Sequence, residues 1–238
     1  MRVERTPPNG FDTACAQATA RLIAAAQGRG GRASVAFSGG STVGPVFDEL
    51  VALAADPPSP QLAVDWGRVA VAQVDERVVA LDDPDRNGAV LLTRLIEALP
   101  VRPAIVELLP VELVDSGGWL DAARRGLANV AGDALTFDVI QLGLGPDGHT
   151  ASLVPGDPVL GVTAGPVSLT GPYQGKRRLT LTYPVLNAAA TRVWWIEGAG
   201  RGQAKAQAAT ALLAGDRSVP AGRVERAETT VVIDAGEP

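Results

Sequence analysis

The single histidine of this 238-residue chain is its most informative candidate for chemistry. His149 ends the segment GLGPDGH (143–149), two residues after the carboxylate of Asp147. An imidazole titrates near neutral pH, so His149 could act as a general acid or base. A purely structural histidine is the alternative on these residues alone. One histidine also excludes any metal site that needs two or three imidazoles.

The same segment contains a formal G-x-G-x-x-G pattern. A dinucleotide-binding turn would have to open a helix within a βαβ unit. Pro155 and Pro158 interrupt any helix at this point, and the pattern comes late in the chain. The glycines therefore predict a loop that delivers Asp147 and His149, rather than a nicotinamide site.

A second candidate is the turn SGGST (38–42), which joins a predicted strand to a predicted helix. Gly39 and Gly40 permit a tight turn, and the hydroxyls of Ser41 and Thr42 add hydrogen-bonding groups. Together with the free N–H groups of the following helix, they could bind a phosphate or a sugar. The alternative is an ordinary strand–helix turn with a hydroxyl as the N-cap.

Charged side chains complete the candidate site. Arg77 could bind an anion in bidentate fashion, while Asp75 could bind a substrate hydroxyl or hold another side chain. Arg178 lies at the start of the predicted strand LTLTY, and Lys205 lies near the start of a predicted helix, where the helix dipole favours acids. A bound anion would account for Lys205. Solvated surface charge is the alternative for all of these groups.

Helical and extended patterns alternate along the chain, and these elements must position the candidate residues. Predicted strands cover 33–37, 67–74, 104–108, 135–145, 177–186, 191–198 and 229–234. Predicted helices cover 12–27, 43–55, 88–99, 119–132 and 202–214. Near-continuous apolar strands between helices indicate one α/β domain, over 1–238, with a parallel sheet covered on both faces.

Ligands of such sheets bind beyond the carboxyl ends of the strands. Three unusual loops, SGGST, Asp75-Glu76-Arg77 and 143–149, each follow a predicted strand. We therefore expect the three loops to converge on one site. Trp194 and Trp195, adjacent on a strand, should point to opposite faces of the sheet.

Composition excludes several classes of protein. The chain has 21 Lys and Arg against 26 Asp and Glu, a net charge of −5, so a nucleic-acid partner is not expected. One cysteine cannot form an internal disulfide, which fits a reducing cytoplasm. Apolar runs fall short of the roughly 18 residues of a membrane helix, and charges and prolines near the start do not fit a signal peptide. We expect a soluble, cytoplasmic protein with no membrane partner.

Several motifs, taken in order, resemble the 6-phosphogluconolactonase family. They are SGGST (38–42), VDERVV (74–79), GLGPDGHTASLVPG (143–156), RRLTLTYPVLNAA (177–189) and GQAKA (202–206). The family belongs to a wider group that includes glucosamine-6-phosphate deaminase. The resemblance implies a Rossmann-like three-layer α/β/α sandwich with a mostly parallel sheet. It also implies hydrolysis of 6-phospho-D-glucono-1,5-lactone in the oxidative pentose phosphate pathway, without a metal or organic cofactor.

The resemblance also implies roles for individual residues. His149 matches the family's general base, which takes a proton from the water attacking C1 and helps to protonate the departing ring oxygen. Apart from the resemblance, we infer from its position two residues before His149 that Asp147 could orient the imidazole. Arg77, Arg178 and Lys205 match basic positions expected to bind phosphate or developing negative charge, and which of them contacts the phosphate stays open. The expected partner is a phosphorylated sugar lactone, bound by a monomer or weak homodimer.

Two other functions are compatible with related folds. A glucosamine-6-phosphate deaminase or isomerase would need a glutamate five residues after the histidine, where this chain has Val154, and the first following carboxylate is Asp157. A non-catalytic sugar-phosphate sensor would usually carry a DNA-binding domain, which we do not expect here. The chain also departs from the family at Arg86-Asn87-Gly88 and in the loop GPYQGKRR (171–178), so contacts to substrate can differ there.

Overall fold

The computed structural model of the chain describes residues 1–199 and 203–234. The strands in this part are β1 (Arg2–Thr6), β2 (Ala33–Phe37), β3 (Val69–Gln73), β4 (Asp75–Arg77), β5 (Ile105–Glu107), β6 (Val139–Gly143), β7 (Val167–Leu169), β8 (Arg178–Leu181), β9 (Thr191–Ile196) and β10 (Thr229–Asp234). The α-helices are α1 (Phe11–Gly30), α2 (Val43–Ala55), α3 (Asn87–Leu91), α4 (Trp119–Ala131), α5 (Tyr183–Ala188) and α6 (Ala206–Ala214). Short 3₁₀ helices cover Pro8–Gly10, Pro60–Leu62, Trp66–Arg68, Val111–Leu113, Pro158–Gly161 and Pro220–Arg223.

Seven of the described strands form one sheet in the order β1-β10-β9-β6-β2-β3-β5. Every neighbouring pair in this sheet is parallel. The central strands β2 and β3 are buried at all five positions, which fits their largely apolar sequences ASVAF and VAVAQ. Their carboxyl ends therefore lie on the same edge of the sheet.

Helices cover both faces of this sheet, so the predicted three-layer α/β/α class is confirmed. Apolar side chains of α1, α2 and α3 form one buried cluster with one face of the sheet. Side chains of α4, α5 and α6 form a second cluster with the other face. Trp195 belongs to the first cluster and Trp194 to the second, as the alternation of side chains along β9 predicts.

A second, three-stranded antiparallel sheet, in the order β4-β8-β7, was not predicted. Asp75-Glu76-Arg77 was expected to be a loop, but it forms β4 and pairs residue by residue with β8. Arg77 is directly opposite Arg178 in this pairing. The carbonyl of Val74 accepts a hydrogen bond from the N–H of Leu181 at 2.8 Å, which joins the small sheet to the end of β3. The small sheet thus brings Arg178, from the fourth family motif, close to Asp75.

Other element boundaries differ from the predictions for local reasons. The strand expected over 177–186 ends at Leu181, because Pro184 lacks an N–H for the ladder and instead fits the first turn of α5. The helix expected over 88–99 begins at Asn87 and becomes a π-helical turn over Leu92–Ile96.

Two further differences lie nearer the ends of the chain. Strand β1 was missed because it is a largely exposed edge strand with a polar sequence. The helix expected over 202–214 is described from Ala206, and the beginning of that prediction, at 202, lies outside the described residues. Within residues 1–199 and 203–234, no helix combines the length and apolar character required to cross a membrane.

Candidate active site

The three predicted loops surround one cavity of about 210 Å³ at the carboxyl ends of β2, β3 and β6. Of the residues proposed from the sequence, those lining it are Gly39, Gly40, Ser41, Thr42, Asp75, Arg77, His149, Arg178 and Lys205. The remaining one, Asp147, contacts His149 directly. The structure therefore brings together all of the predicted site residues, although they are spread over more than 160 positions of the chain.

His149 and Asp147 form a hydrogen-bonded pair. The Nδ1 atom of His149 lies 2.5 Å from Oδ1 of Asp147, and the backbone N–H of His149 donates to the same oxygen at 3.2 Å. Burial raises the pKa of the Asp147 carboxyl, but hydrogen bonds from His149 and Tyr173 outweigh it and hold that pKa below its ordinary value. Asp147 is therefore an anion at neutral pH and favours the imidazole tautomer with its proton on Nδ1.

Glycine at position 145 allows the imidazole to lie against the loop that carries it. A Cβ atom at Gly145 would be only 2.1 Å from both Nδ1 and Cε1 of His149. The N–H of Gly145 donates to the carbonyl of His149 at 2.9 Å, and the N–H of Gly148 donates to the carbonyl of Gly145 at 3.0 Å. Gly148 has a φ of +82°, a left-handed conformation suited to glycine. The glycines of this segment thus build a tight loop around the histidine.

Glycine is needed at the two central positions of the SGGST turn for different reasons. Gly40 has a φ of +124°, which turns the chain sharply into α2. Gly39 is packed against Asn87, and a Cβ there would lie 1.9 Å from the Asn87 Oδ1 atom. Thr42 precedes α2 without a side-chain capping bond, and Thr42 and Val43 at the start of α2 line the cavity. This helix terminus favours a negatively charged ligand.

Asp75 is a buried carboxylate at the base of the small sheet. The hydroxyl of Ser38 donates to its Oδ1 at 2.9 Å, and the hydroxyl of Ser152 donates to its Oδ2 at 2.7 Å. These two bonds use only part of the accepting capacity of a carboxylate. Asp75 also attracts the nearby Arg178.

Arg77 is held at the edge of the cavity by its own loop. Its guanidinium donates through Nη1 to the carbonyl of Asp85 and to Oδ1 of Asn87, both at 2.7 Å. Asn87 in turn donates through Nδ2 to the carbonyl of Asp75 at 2.9 Å. The position of Arg77 is therefore fixed by the segment 85–88.

That segment is anchored by Glu76, whose side chain is fully buried. Its carboxylate accepts the backbone N–H groups of Asn87 at 2.8 Å and Gly88 at 2.7 Å. The guanidinium of Arg86, also buried, lies 3.4 Å away and balances its charge. Glu76 therefore has a structural role beside the two cavity-lining residues Asp75 and Arg77.

Arg178 and Lys205 are the two most desolvated cations of the cavity. Burial lowers the pKa of the Arg178 guanidinium, with the attraction of Asp75 opposing it. The Arg178 Nε atom is buried and has no hydrogen-bond partner among the described residues. Burial also lowers the pKa of the Lys205 ammonium, against the attraction of Glu197. Through Nη2, Arg178 donates to Oε1 of Gln174 at 3.4 Å, so only part of its guanidinium is free. Desolvated cations with donors left free are suited to an anionic ligand.

Several contacting residues were not singled out from the sequence: Ser38, Asn87, Gln141, Ser152 and Tyr173. Gln141 accepts the N–H of Ser38 at 2.9 Å, and Tyr173 donates to Asp147 at 3.0 Å. Ser38 and Ser152 lie within quoted family motifs, and Asn87 and Tyr173 lie in the segments 86–88 and 171–178, but these residue types are common in any loop or strand and no local pattern singled them out. Among the described residues, no three His, Cys, Asp or Glu side chains are grouped so that they could hold a metal ion.

The fold and this cavity define the class of protein: an α/β sandwich with a parallel main sheet that carries a hydrogen-bonded His–Asp pair and several cations at its carboxyl edge. A sequence model of the family described as glucosamine-6-phosphate isomerases/6-phosphogluconolactonase matches residues 8–233. The chain belongs to this family. The resemblance inferred from the motifs is confirmed.

Curated relatives carry the name 6-phosphogluconolactonase. The protein from Streptomyces coelicolor is 33% identical over 92% of this chain and 87% of its own length. The protein from Synechocystis is 33% identical over 77% of this chain and 73% of its own length. These relatives confirm the expectation of an enzyme.

Solved structures confirm the fold. The 6-phosphogluconolactonase of Thermotoga maritima superposes with a TM-score of 0.82 over 99% of both chains, at 24% identity. A monomeric glucosamine-6-phosphate deaminase superposes with a TM-score of 0.78 at 19% identity, over 98% of this chain and 97% of its own. The fold is thus shared by both activities, and the site must distinguish them.

Proposed function

We propose that this chain hydrolyses 6-phospho-D-glucono-1,5-lactone to 6-phospho-D-gluconate, the activity named by its curated relatives, with His149 as the general base. One observation carries the proposal: the only histidine lines the same small cavity as Arg77, Arg178 and Lys205. The cavity thus offers a base and a set of cations to one small anion. The proposal assigns the reaction to the oxidative pentose phosphate pathway and to a single α/β domain over 1–238.

The hydrogen bond from His149 Nδ1 to Asp147 supports the general-base role. It leaves Nε2 with a lone pair, and Nε2 has no hydrogen-bond partner among the described residues. In the proposed reaction, Nε2 takes a proton from water as the water oxygen attacks C1 of the lactone. The tetrahedral intermediate then breaks its bond to the ring oxygen, which receives the proton from the imidazolium. One water is added, and the carboxylic acid formed then ionises.

The cations support recognition of a phosphorylated lactone. The partly free guanidinium of Arg178 and the ammonium of Lys205 would neutralise the phosphate or the oxyanion that forms at C1. Asp75, with accepting capacity left beyond Ser38 and Ser152, would accept a sugar hydroxyl. The N-terminus of α2, behind the SGGST turn, adds a favourable dipole.

A deaminase or isomerase is less well supported by the same site. Those enzymes need an additional acid–base group, and the corresponding residue here, Val154, is apolar and buried. The nearest following carboxylate, Asp157, accepts the N–H groups of Val159 at 2.8 Å and Gly171 at 2.9 Å and is not a cavity residue. Both of its oxygens are therefore engaged in holding a loop.

The test is the rate of lactone opening with freshly generated 6-phosphogluconolactone, after subtraction of spontaneous hydrolysis. We expect the wild-type protein to accelerate the reaction and His149→Ala to lose about 10²–10⁴-fold in kcat, the usual contribution of a general base. A thermal melt checks that the variant is folded. D-glucono-1,5-lactone, without the phosphate, serves as the control substrate and should react with much lower kcat/KM.

Two results would contradict the proposal. Near wild-type turnover by the folded His149→Ala variant would remove the histidine from the mechanism. Turnover of glucosamine 6-phosphate above background, without lactone hydrolysis, would favour the deaminase activity instead.

A further inference from the structure

Tyr173 lies where three groups of the site meet. Its Oη atom donates to Oδ2 of Asp147 at 3.0 Å and lies 3.5 Å from Nδ1 of His149. Its ring meets the imidazole nearly edge-on, with 5.4 Å between the ring centroids. The Arg178 guanidinium carbon lies 5.0 Å from the centroid of the same ring. One side chain thus touches the acid–base pair and one of the cations.

We propose that Tyr173 is a positioning residue that fixes the Asp147–His149 pair through its hydroxyl and Arg178 through its ring. The proposal rests on the function proposed above. A carboxylate bonded through one oxygen can rotate about its side-chain torsions, and the imidazole bonded to it can then follow. With Oδ1 bonded to His149 and Oδ2 bonded to Tyr173, the Asp147 carboxylate has one preferred orientation.

The loop that carries Tyr173 is built to be stiff. The backbones of Tyr173 and Lys176 exchange two hydrogen bonds, of 3.0 and 3.2 Å. Gln174 and Gly175 between them both have positive φ, of 51° and 78°. Positive φ at both central residues is the pattern of the type I′ turn that closes tight β-hairpins. Tyr173 is therefore presented by a closed hairpin whose second strand, β8, begins at Arg178.

The protonation state of Tyr173 agrees with a donor role. Burial raises the pKa of its hydroxyl, and the hydrogen bond to Asp147 raises it further. The Oη atom consequently keeps its proton throughout the neutral range and can only donate to the anionic carboxylate. The positive charge of Arg178 acts in the opposite direction and lowers the pKa of Tyr173. The guanidinium lies over the tyrosine ring in a cation–π contact.

The first variant, Tyr173→Phe, removes the hydroxyl and keeps the ring. We expect kcat for lactone hydrolysis to fall about tenfold, the usual effect of losing one hydrogen bond to a charged group. KM should stay within about twofold, because a phenylalanine ring still supports Arg178. Tyr173→Leu removes the ring as well, and its KM should rise in addition to the loss in kcat.

The second readout does not depend on activity. Because His149 is the only histidine, its ¹⁵N resonances report the imidazole tautomer without assignment ambiguity. In the wild-type protein we expect a dominant tautomer with the proton on Nδ1. In Tyr173→Phe the fraction of that tautomer should fall, and the Nδ1 proton should exchange faster with water.

The chain offers a matched control in its only other tyrosine. The hydroxyl of Tyr183 donates to the carbonyl of Pro220 at 2.9 Å, and Tyr183 does not line the cavity. Tyr183→Phe should therefore leave kcat, KM and the His149 resonances unchanged.

The outcomes separate this proposal from the function on which it rests. Unchanged ¹⁵N shifts in Tyr173→Phe overturn the positioning role whatever the activity. Changed shifts with unchanged kcat overturn its importance for the reaction. If the wild-type protein does not open the lactone, the proposed function fails, and the ¹⁵N comparison alone decides whether Tyr173 holds the pair.

Discussion

Adding one methyl group at Gly145 would displace the proposed base without altering any titratable group. A Cβ at this position would lie 2.1 Å from Nδ1 and Cε1 of His149, whereas ordinary contacts of a Cβ begin near 3.4 Å. The backbone of Gly145 is outside the left-handed region, so alanine fits its conformation. In Gly145→Ala the imidazole must therefore move by about 1 Å or more.

A displacement of this size predicts a large kinetic effect and a small effect on stability. A misplacement of about 1 Å can lower a rate about 10²-fold, and the whole contribution of a general base is about 10²–10⁴-fold. We expect kcat to fall about 10²-fold. The His149 side chain is 20% exposed and can swing towards solvent, so the free energy of unfolding should change by no more than about 1 kcal/mol.

The assay compares initial rates of lactone opening, corrected for spontaneous hydrolysis, with urea unfolding of the same preparations. Gly161→Ala is the control, because a Cβ at Gly161 meets no atom within 4 Å and its φ is not left-handed. It should retain wild-type kcat. A folded Gly145→Ala protein with kcat within about threefold of wild type would refute the displacement of His149 or its role as the base.

Two further predictions concern buried charges. Glu76→Gln removes a buried charge paired with Arg86, so it should lower the free energy of unfolding in urea by about 3–5 kcal/mol. Asp48→Asn, in an exposed pair, is the control and should lower it by at most about 1 kcal/mol. Similar losses in both variants would contradict the structural role of the buried pair. Lys205→Met should raise both the melting temperature at pH 7 and the KM for the lactone. Burial lowers the pKa of Lys205, so its charge weakens folding at neutral pH, and the gain in melting temperature should vanish as the pH passes the unfolded pKa of about 10.4. A lower melting temperature would contradict this reasoning.

Sequence reasoning was most successful where one local pattern determines the structure. Strand β2 and helix α2 have the predicted bounds, since a short apolar run before two glycines leaves few alternatives. The convergence of the three loops on one cavity followed from the geometry of parallel sheets. These predictions needed no knowledge of which side chains touch.

The contacts that the sequence did not reveal join distant segments with unremarkable residue types. Tyr173 meets Asp147 across 26 positions, and this contact depends on the closed hairpin that leads into β8. The small antiparallel sheet was missed for the same reason. Its strand β4 has only three residues, all charged, and is stabilised by pairing with β8 more than 100 positions later. Local patterns carry no information on such long-range pairing.

The acidic balance of the chain and its basic cavity are compatible, because a charge matters most where water is excluded. The net charge of −5 is spread over a surface on which water and salt screen it. Arg178, at 6% exposed, is desolvated, and its Nε atom has no hydrogen-bond partner among the described residues. Leaving a buried charged donor unpaired is unfavourable for the folded protein. An anion bound in the cavity would accept a hydrogen bond from this buried donor and so relieve its unfavourable burial. Binding of a small phosphorylated ligand would thereby stabilise the folded protein despite its overall negative charge.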